Sequence, residues 1–428
     1  MLKKIPLEHL RLGMHIHELG GSWINHPFWK SAFKVTEARQ LQQLRDSAVL
    51  EVWIDTSKGL DVLAAQGAGA AQGDLNTSGH GSGEAASAGE TGPDAAAGLR
   101  GQALLKRPAA IQPATLREEM ARATRIIDQS RGAMKTMFQD VRLGKAIDPE
   151  HCLPLVDDIT QSVARNPGAL VSLARLKTSD DYTYMHSVAV CALMVSLAQQ
   201  LNLNEADKRE AGLAGLVHDL GKALMPLEVL NKPGKLTDGE YTVMRGHPEA
   251  GHRLLVEARG VGGIPLDVCL HHHEKVNGTG YPHRLKGDDI SLFARMGAVC
   301  DVYDAITSNR PYKEGWDPAD SVHKMAQWTR EGHFDGAIFQ AFVKSIGIYP
   351  TGSLVKLKSG RLAVVVDQGA ASLLTPVLKA FYSTKASEPM VPVLIDLGAP
   401  GCGDQIVSRE SPAAWGFANL DDFWAADR

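Results

Sequence analysis

The run Leu216-Val217-His218-Asp219-Leu220-Gly221-Lys222 brings an apolar segment to an end in an adjacent imidazole and carboxylate. Leu213, Leu216 and Val217 recur as the apolar positions of a helix, and Asn204-Glu205-Ala206-Asp207 supplies its capped start. Leaving His218 and Asp219 unpaired at the edge of a core is costly, and a divalent metal is one common remedy. Neighbouring side chains on a helix point about 100° apart, so one ion can take the histidine while the carboxylate reaches a second. Upstream, Asp180 to Leu203 carries a wide apolar stripe through Val190, Leu193, Val195 and Leu197. His186 falls on the face of Val190, Leu193 and Leu197 and points inward. Alone, it reads as a satisfied core histidine. Helical patterning starts near Thr115, with Met120, Ile127, Met134 and Met137 among its apolar positions, and persists to about Gly347.

Three further elements of this helical region carry ligand-type side chains. His247 opens His247-Pro248-Glu249-Ala250-Gly251, and His272-His273-Glu274 precede Gly278-Thr279-Gly280-Tyr281-Pro282. Asp301 lies in Val299-Cys300-Asp301-Val302-Tyr303-Asp304. Histidine and carboxylate ligands without thiolate favour Fe, Mn, Co, Ni or Zn over Mg or Ca. Two close ions acidify a water, polarise a phosphoryl oxygen and stabilise the leaving oxygen, which suits phosphodiester hydrolysis without a side-chain nucleophile. Each histidine is a weak signal; the ordered set is a strong one.

Outside the helical region the character changes. Residues 1–63 read as a small α+β accessory domain, with strand-like spacing from Ile5 to Ile16 broken by Gly13. A short helix is expected at Glu37 to Leu44 and a strand at Val49 to Asp55. Ala64 to Gly98 has no Lys, Arg or aromatic residue, so residues 64–113 are expected to form a flexible low-complexity linker. Residues 114–149 read as a helical connector and 150–347 as the catalytic domain. In 348–428 the runs Leu354–Leu357, Leu362–Val366 and Val391–Ile395 suggest a small β-rich appendage, followed by a tail with Trp415, Phe417, Phe423 and Trp424. The fold class is therefore mainly α, with small β-containing pieces at both ends.

Lys and Arg total 45 against 49 Asp and Glu, a formal charge of -4, so nothing advertises duplex nucleic acid as a partner. A small anionic substrate then needs a local positive site. The start lacks the apolar run of a signal peptide, and Ser187 to Ala198 is too short to span a bilayer. Cys152, Cys191, Cys269, Cys300 and Cys402 are widely spaced and odd in number, as expected of reduced thiols in a cytoplasmic protein.

At these residues the chain resembles the HD-GYP family of HD-domain phosphohydrolases. His218-Asp219-Leu220-Gly221-Lys222 matches the HD signature, and His272-His273-Glu274 with Gly278, Gly280, Tyr281 and Pro282 matches the GYP extension. The likeness continues from Asp301-Val302-Tyr303-Asp304 to Arg310-Pro311-Tyr312-Lys313, covering about residues 150–345. Leu10-Arg11-Leu12-Gly13-Met14 and Ser22-Trp23 with His26-Pro27-Phe28 resemble the domain that often precedes such modules. The resemblance implies a helical catalytic domain that cleaves cyclic di-GMP to pGpG or GMP. It further implies His186, His218, Asp219, His247, His272, His273 and Asp301 as metal ligands, with Asp219 bridging. Some members place a third-metal glutamate four residues before the first histidine. Tyr182 stands there in this chain, so two divalent ions are expected, Fe or Mn favoured.

Substrate-side roles have plainer alternatives. Lys222 is either a helix-terminal surface charge or a phosphate contact, and the HD signature favours the latter. Arg310 and Lys313 are either a solvated basic turn or a phosphate clamp. Gly280, Tyr281 and Pro282 are either an ordinary turn or the lip of the substrate mouth, with Tyr281 as a base or contact. Glu274 and Asp304 are candidates to orient imidazoles. His271 lies outside the ligand register, and His252, His283, His323 and His333 have no comparable placement. Two other readings stay open: a non-catalytic cyclic-dinucleotide-binding module, and a hydrolase of another cyclic dinucleotide. The flanking domains leave room for a regulatory protein partner or a homodimer.

Overall fold

The structure, a computed structural model, describes residues 2–19, 33–36, 38, 41–42, 51–61, 112–145, 149–175, 182–232, 234–258, 260–309, 315–369, 372–417 and 420–425. The chain divides into two compact units, residues 1–110 and 111–428. The linker expected at Ala64 to Gly98 and most of the helix expected at Glu37 to Leu44 fall outside the described residues.

In the first unit four strands, β1 (Leu2–Pro6), β2 (His15–Leu19), β3 (Phe33–Lys34) and β4 (Glu51–Asp55), form an antiparallel sheet in the order β1-β4-β2-β3. The strand-like spacing from Ile5 to Ile16, broken at Gly13, runs from the end of β1 to the start of β2. A 3₁₀ turn at Leu7–His9 buries Leu7 and Leu10, and Gly13 at φ +90° turns the chain back. Val52 and Ile54 of β4 point into a core with Ile5, Met14, Ile16 and Val35.

The second unit is helical, with a sheet at its C-terminal end. Helix α1 (Leu116–Arg142) starts in a capping box: Glu118 donates its amide to the Thr115 hydroxyl, and Thr115 donates its amide to Glu118. Helices α2 (Leu153–Arg165) and α3 (Pro167–Arg175) follow, then α4 (Tyr182–Gln200) and α5 (Glu205–Val217). Asn204 caps α5 by accepting the Asp207 amide, as its sequence suggests. After α5 come the short α6 (Leu227–Leu230) and α7 (Asp238–Met244), then α8 (His247–Glu257) and α9 (Gly263–His271). The longer α10 (Leu292–Thr307), α11 (Pro318–Arg330) and α12 (Gly336–Ile346) complete the helical body. Among the described residues no helix is long and apolar enough to cross a membrane.

Helix α4 differs from its expected one-sided stripe. From Met185 to Ala198 every residue is buried, because α4 is wrapped by α1, α2, α3, α5, α10 and α12. A helix apolar on all sides belongs at the centre of a bundle. His186 therefore enters the site from the core of the molecule.

The C-terminal strands β5 (Leu354–Leu357), β6 (Arg361–Asp367), β7 (Val377–Ser383), β8 (Glu388–Asp396) and β9 (Ile406–Arg409) form an antiparallel sheet, ordered β8-β7-β6-β5-β9. The aromatic tail, unassigned from sequence, covers one face of it: Trp415, Phe417, Phe423 and Trp424 pack on Leu354, Leu362, Val364 and Phe381. The sheet is tied to the helices where Asp367 accepts the Leu116 amide and Arg409 donates to the Ala319 carbonyl.

Candidate metal centre

Five segments converge on one buried point. The first turn of α4 brings His186, the end of α5 brings His218 and Asp219, and α8 opens with His247. His272 and His273 follow α9, and Asp301 lies within α10. A 3₁₀ turn at Leu220–Leu224 continues from Asp219 across the start of α8. A Cβ on Gly221 would collide with the His247 carbonyl, so glycine is what lets Asp219 and His247 approach.

The ligand-type atoms form two groups: Asp219, His247, His272 and His273, and His186, His218 and Asp301. Asp219 belongs to both by geometry. Its Oδ1 is 3.1 Å from His247 Nε2 and 3.7 Å from His272 Nε2, while its Oδ2 is 3.4 Å from both His186 Nε2 and His218 Nε2. Asp301 is similarly divided. Oδ1 stands 3.0 Å from His186 Nε2, and Oδ2 stands 3.7 Å from His273 Nδ1.

Hydrogen bonds fix which ring nitrogen is free. His218 Nδ1 donates to Gly215 O at 2.8 Å, His247 Nδ1 to Met244 O at 2.8 Å, and His272 Nδ1 to Val268 O at 3.0 Å. A carbonyl only accepts, so all three Nε2 atoms present lone pairs to the centre. His186 is held differently, its Nδ1 lying 2.6 Å from the buried carboxylate of Asp304. Among the described residues Glu274 bonds no imidazole; its Oε1 accepts the His283 amide at 2.7 Å and pins the following loop.

The electrostatics match a cation site. Burial raises the Asp219 carboxyl, but Lys222 and His218 outweigh it and hold the group well below the usual range. Burial raises Asp301 too, but its hydrogen bond to His186 and the nearby imidazoles outweigh it and hold it well below the usual range. Burial drives His272 well below its ordinary value and His273 to about 3, leaving both neutral. For His186 burial opposes the charge, yet hydrogen bonds to Asp219, Asp301 and Asp304 push it up to about 10. Asp219 Oδ1 and His218 Nε2 are both buried without a hydrogen-bond partner. An anionic oxygen facing imidazole lone pairs is satisfied by a cation and by little else. The residues therefore fit divalent metal ions.

The expected substrate-side residues separate. Lys222 is not a free surface charge; its ammonium lies 2.5 Å from Asp219 Oδ2. Tyr281 stacks on His273 with ring centroids 4.7 Å apart. Burial raises its phenol far above the ordinary value, so Tyr281 keeps its proton at neutral pH. Gly280 is buried, and a Cβ there would collide with the Lys275 amide; Pro282 follows Tyr281 through a cis peptide bond. Arg310 and Lys313 lie outside the described residues. His271 is structural, bonded to Asp267 and His283, and His252, His323 and His333 join neither ligand group. Sequence reasoning missed Arg245, whose guanidinium carbon lies 4.5 Å from the Tyr281 ring centroid. Its closeness to His247 in the chain was the available signal.

The chain is similar to known proteins. A family described as "Domain of unknown function (DUF3391)" matches residues 2–152, and one described as "HD domain" matches residues 160–338. The chain is 51% identical over 427 residues to a cyclic di-GMP phosphodiesterase of Pseudomonas aeruginosa, covering 99% of this chain and 96% of that protein. It is 46% identical over 124 residues to the cyclic di-GMP phosphodiesterase response regulator RpfG of Xanthomonas campestris, covering 28% of this chain and 32% of that one. A 3'3'-cGAMP-specific phosphodiesterase of Vibrio cholerae is 34% identical over 164 residues, covering 38% of each chain.

Proposed function

The chain belongs to the HD-GYP family of cyclic di-GMP phosphodiesterases, and from that membership we propose a metal-dependent hydrolysis of cyclic di-GMP to pGpG, GMP or both. The observation that carries the metal dependence is Asp219: one buried carboxylate presents its two oxygens to two separate sets of imidazole nitrogens. His186, His218 and Asp301 would hold one ion, His247, His272 and His273 the other, with Asp219 shared. When bound, two such ions supply Lewis-acid stabilisation of phosphoryl charge and lower the pKa of a water. Iron or manganese suits this donor set.

The chain's own residues do the rest. Backbone carbonyls keep His218, His247 and His272 in the tautomer that leaves Nε2 available. Asp304 holds His186 in place and accepts its Nδ1 proton in a hydrogen bond. Lys222, paired with Asp219, would offer its ammonium to a phosphoryl or leaving oxygen. Tyr281 gives the substrate a protonated phenol and an aromatic face next to His273. Arg310 and Lys313, which follow Asp301 in the sequence, would serve as further phosphate contacts.

Anaerobic purification, metal analysis and product chromatography with cyclic di-GMP and 3'3'-cGAMP test this reading. Retained Fe or Mn with release of pGpG or GMP is expected, with cyclic di-GMP the better substrate. Metal-loaded protein that leaves cyclic di-GMP intact overturns the reading; preference for the mixed-base dinucleotide overturns only the choice of base.

A further inference from the structure

A cleft of about 380 Å³ opens beside Tyr281, and its walls carry three cations, Arg245, Lys275 and Arg284, and no carboxylate. None of the three has a carboxylate within ion-pair distance among the described residues. A concentrated positive wall on a chain of net charge -4 is an anion site by composition. Arg245 joins it to the metal centre. Its guanidinium carbon is 4.5 Å from the Tyr281 centroid, and that ring is 4.7 Å from the His273 imidazole. Laid end to end, the two contacts put the guanidinium at most about 9 Å from a ligand ring. Among the described residues Arg245 Nε is buried without a hydrogen-bond partner, and the guanidinium is positioned by its stacking on Tyr281.

Arg284 adds an independent sign. It sits at φ +58°, the left-handed region where glycine costs least, and it is not glycine. Strain of this kind is kept where the side chain is needed. The loop carrying it is otherwise firmly tied: Glu274 accepts the His283 amide, and Val276 accepts the Gly287 amide.

We propose that Arg245, Lys275 and Arg284 form a second phosphate subsite, which receives the phosphodiester of the cyclic dinucleotide that is not on the metals. The inference rests on the hydrolase reading above and deepens it. A cyclic dinucleotide carries two phosphates, and a centre that attacks one must leave the other beside it. An Arg fork grips a phosphate bidentately, with Lys275 and Arg284 as flanking charges. Arg245 is thus a substrate-positioning residue, coupled through Tyr281 to a ligand histidine.

The test uses the metal-loaded full chain. Arg245→Ala should raise KM for cyclic di-GMP about ten- to a hundredfold, with kcat within about threefold. Metal content should be unchanged. Arg245→Lys should recover part of the loss. The ratio of kcat/KM on cyclic di-GMP to that on bis(p-nitrophenyl) phosphate, a diester with one phosphate, should fall by about tenfold or more. Arg284→Gly removes a cation while relieving the left-handed backbone. Its melting temperature should hold within about 2 °C while KM rises about three- to tenfold. An unchanged KM in both variants, or an equal loss on both substrates, overturns the subsite. If the wild-type chain binds cyclic di-GMP without opening it, calorimetry on the same variants decides. Equal affinity for wild type and Arg245→Ala overturns the subsite, and a weakened Arg245→Ala supports it while the hydrolase reading alone fails.

Discussion

Replacing Asp304 with Asn removes one charge from behind one ligand and leaves its shape. The carboxylate is 3% exposed and lies 2.6 Å from His186 Nδ1, so no water can substitute for it. Asn keeps a carbonyl oxygen for the ring N–H, and Ser308, which now donates to Asp304 Oδ1 at 3.1 Å, can hold the amide in place. The ring should stay oriented while its Nε2 becomes a poorer donor. Loss of such a supporting carboxylate typically lowers metal affinity ten- to a hundredfold, about 1.4–2.8 kcal/mol. The loss should fall on the half formed by His186, His218 and Asp301, because His247 and His272 are held by backbone carbonyls that the substitution does not touch. Titration against a competing chelator, followed by metal analysis, reads the two affinities separately. One should weaken, the other should hold, and excess metal should restore turnover. Two unchanged affinities in Asp304→Asn would refute the reasoning, and so would two that fall together.

Asp219→Ala should release both ions and abolish hydrolysis, since one carboxylate faces both groups; metal analysis showing full loading with normal turnover counts against it. Glu119 is fully buried and accepts two hydrogen bonds from Arg165, at 2.7 and 2.8 Å, plus one from Arg122 at 3.0 Å. Glu119→Ala should cost about 3 kcal/mol, the lower end for a broken buried pair because Arg165 is one-fifth exposed. Burial opposes the charge on Glu119, but the Arg165 hydrogen bonds hold its carboxyl below 4.5. Its contribution is therefore fully present above that value and is lost as pH falls through the folded value, which melting curves from pH 7 to 3 will show. Native-state alkylation should modify Cys402 alone, because the other four thiols are buried and burial raises Cys191, Cys269 and Cys300 far above the ordinary thiol range. Peptide mapping that finds label on Cys191 or Cys269 would contradict the packing of α4 and α9 against α5.

His218 and Asp219 stood out in the sequence because an apolar run ends in them and buried polar groups there need partners, while the rest of the expected ligand set came from the ordered motifs of the family resemblance. The capped start at Asn204 was legible from Asn204-Glu205-Ala206-Asp207, whereas the capping box at Thr115 emerged only in the structure. What the sequence hid has physical causes too. Helix α4 looked one-sided because period alone cannot distinguish a wide stripe from burial on every side. Strands β7 and β9 went unread: Val377–Ser383 mixes Lys379 and Tyr382 among apolar residues, and Ile406–Arg409 is a short edge strand. The roles of Glu274 and Asp304 could not be told apart, since both are acids beside ligands and only the fold shows that one meets a ring and the other a loop amide. Arg245 was missed because its partner, Tyr281, is distant in the chain.

The two halves of the metal centre are unequal in charge. His186 is backed by Asp304 and faced by Asp301, whereas His247 and His272 are backed only by carbonyl dipoles. The Lys222 ammonium beside Asp219 Oδ2 and the proton that His186 keeps up to about pH 10 offset those carboxylates in the empty site. An ion entering the His186 half must therefore release that proton, whereas His272 and His273 are already neutral. Metal affinity at the first half should climb as the medium turns alkaline, and the second half should hardly notice.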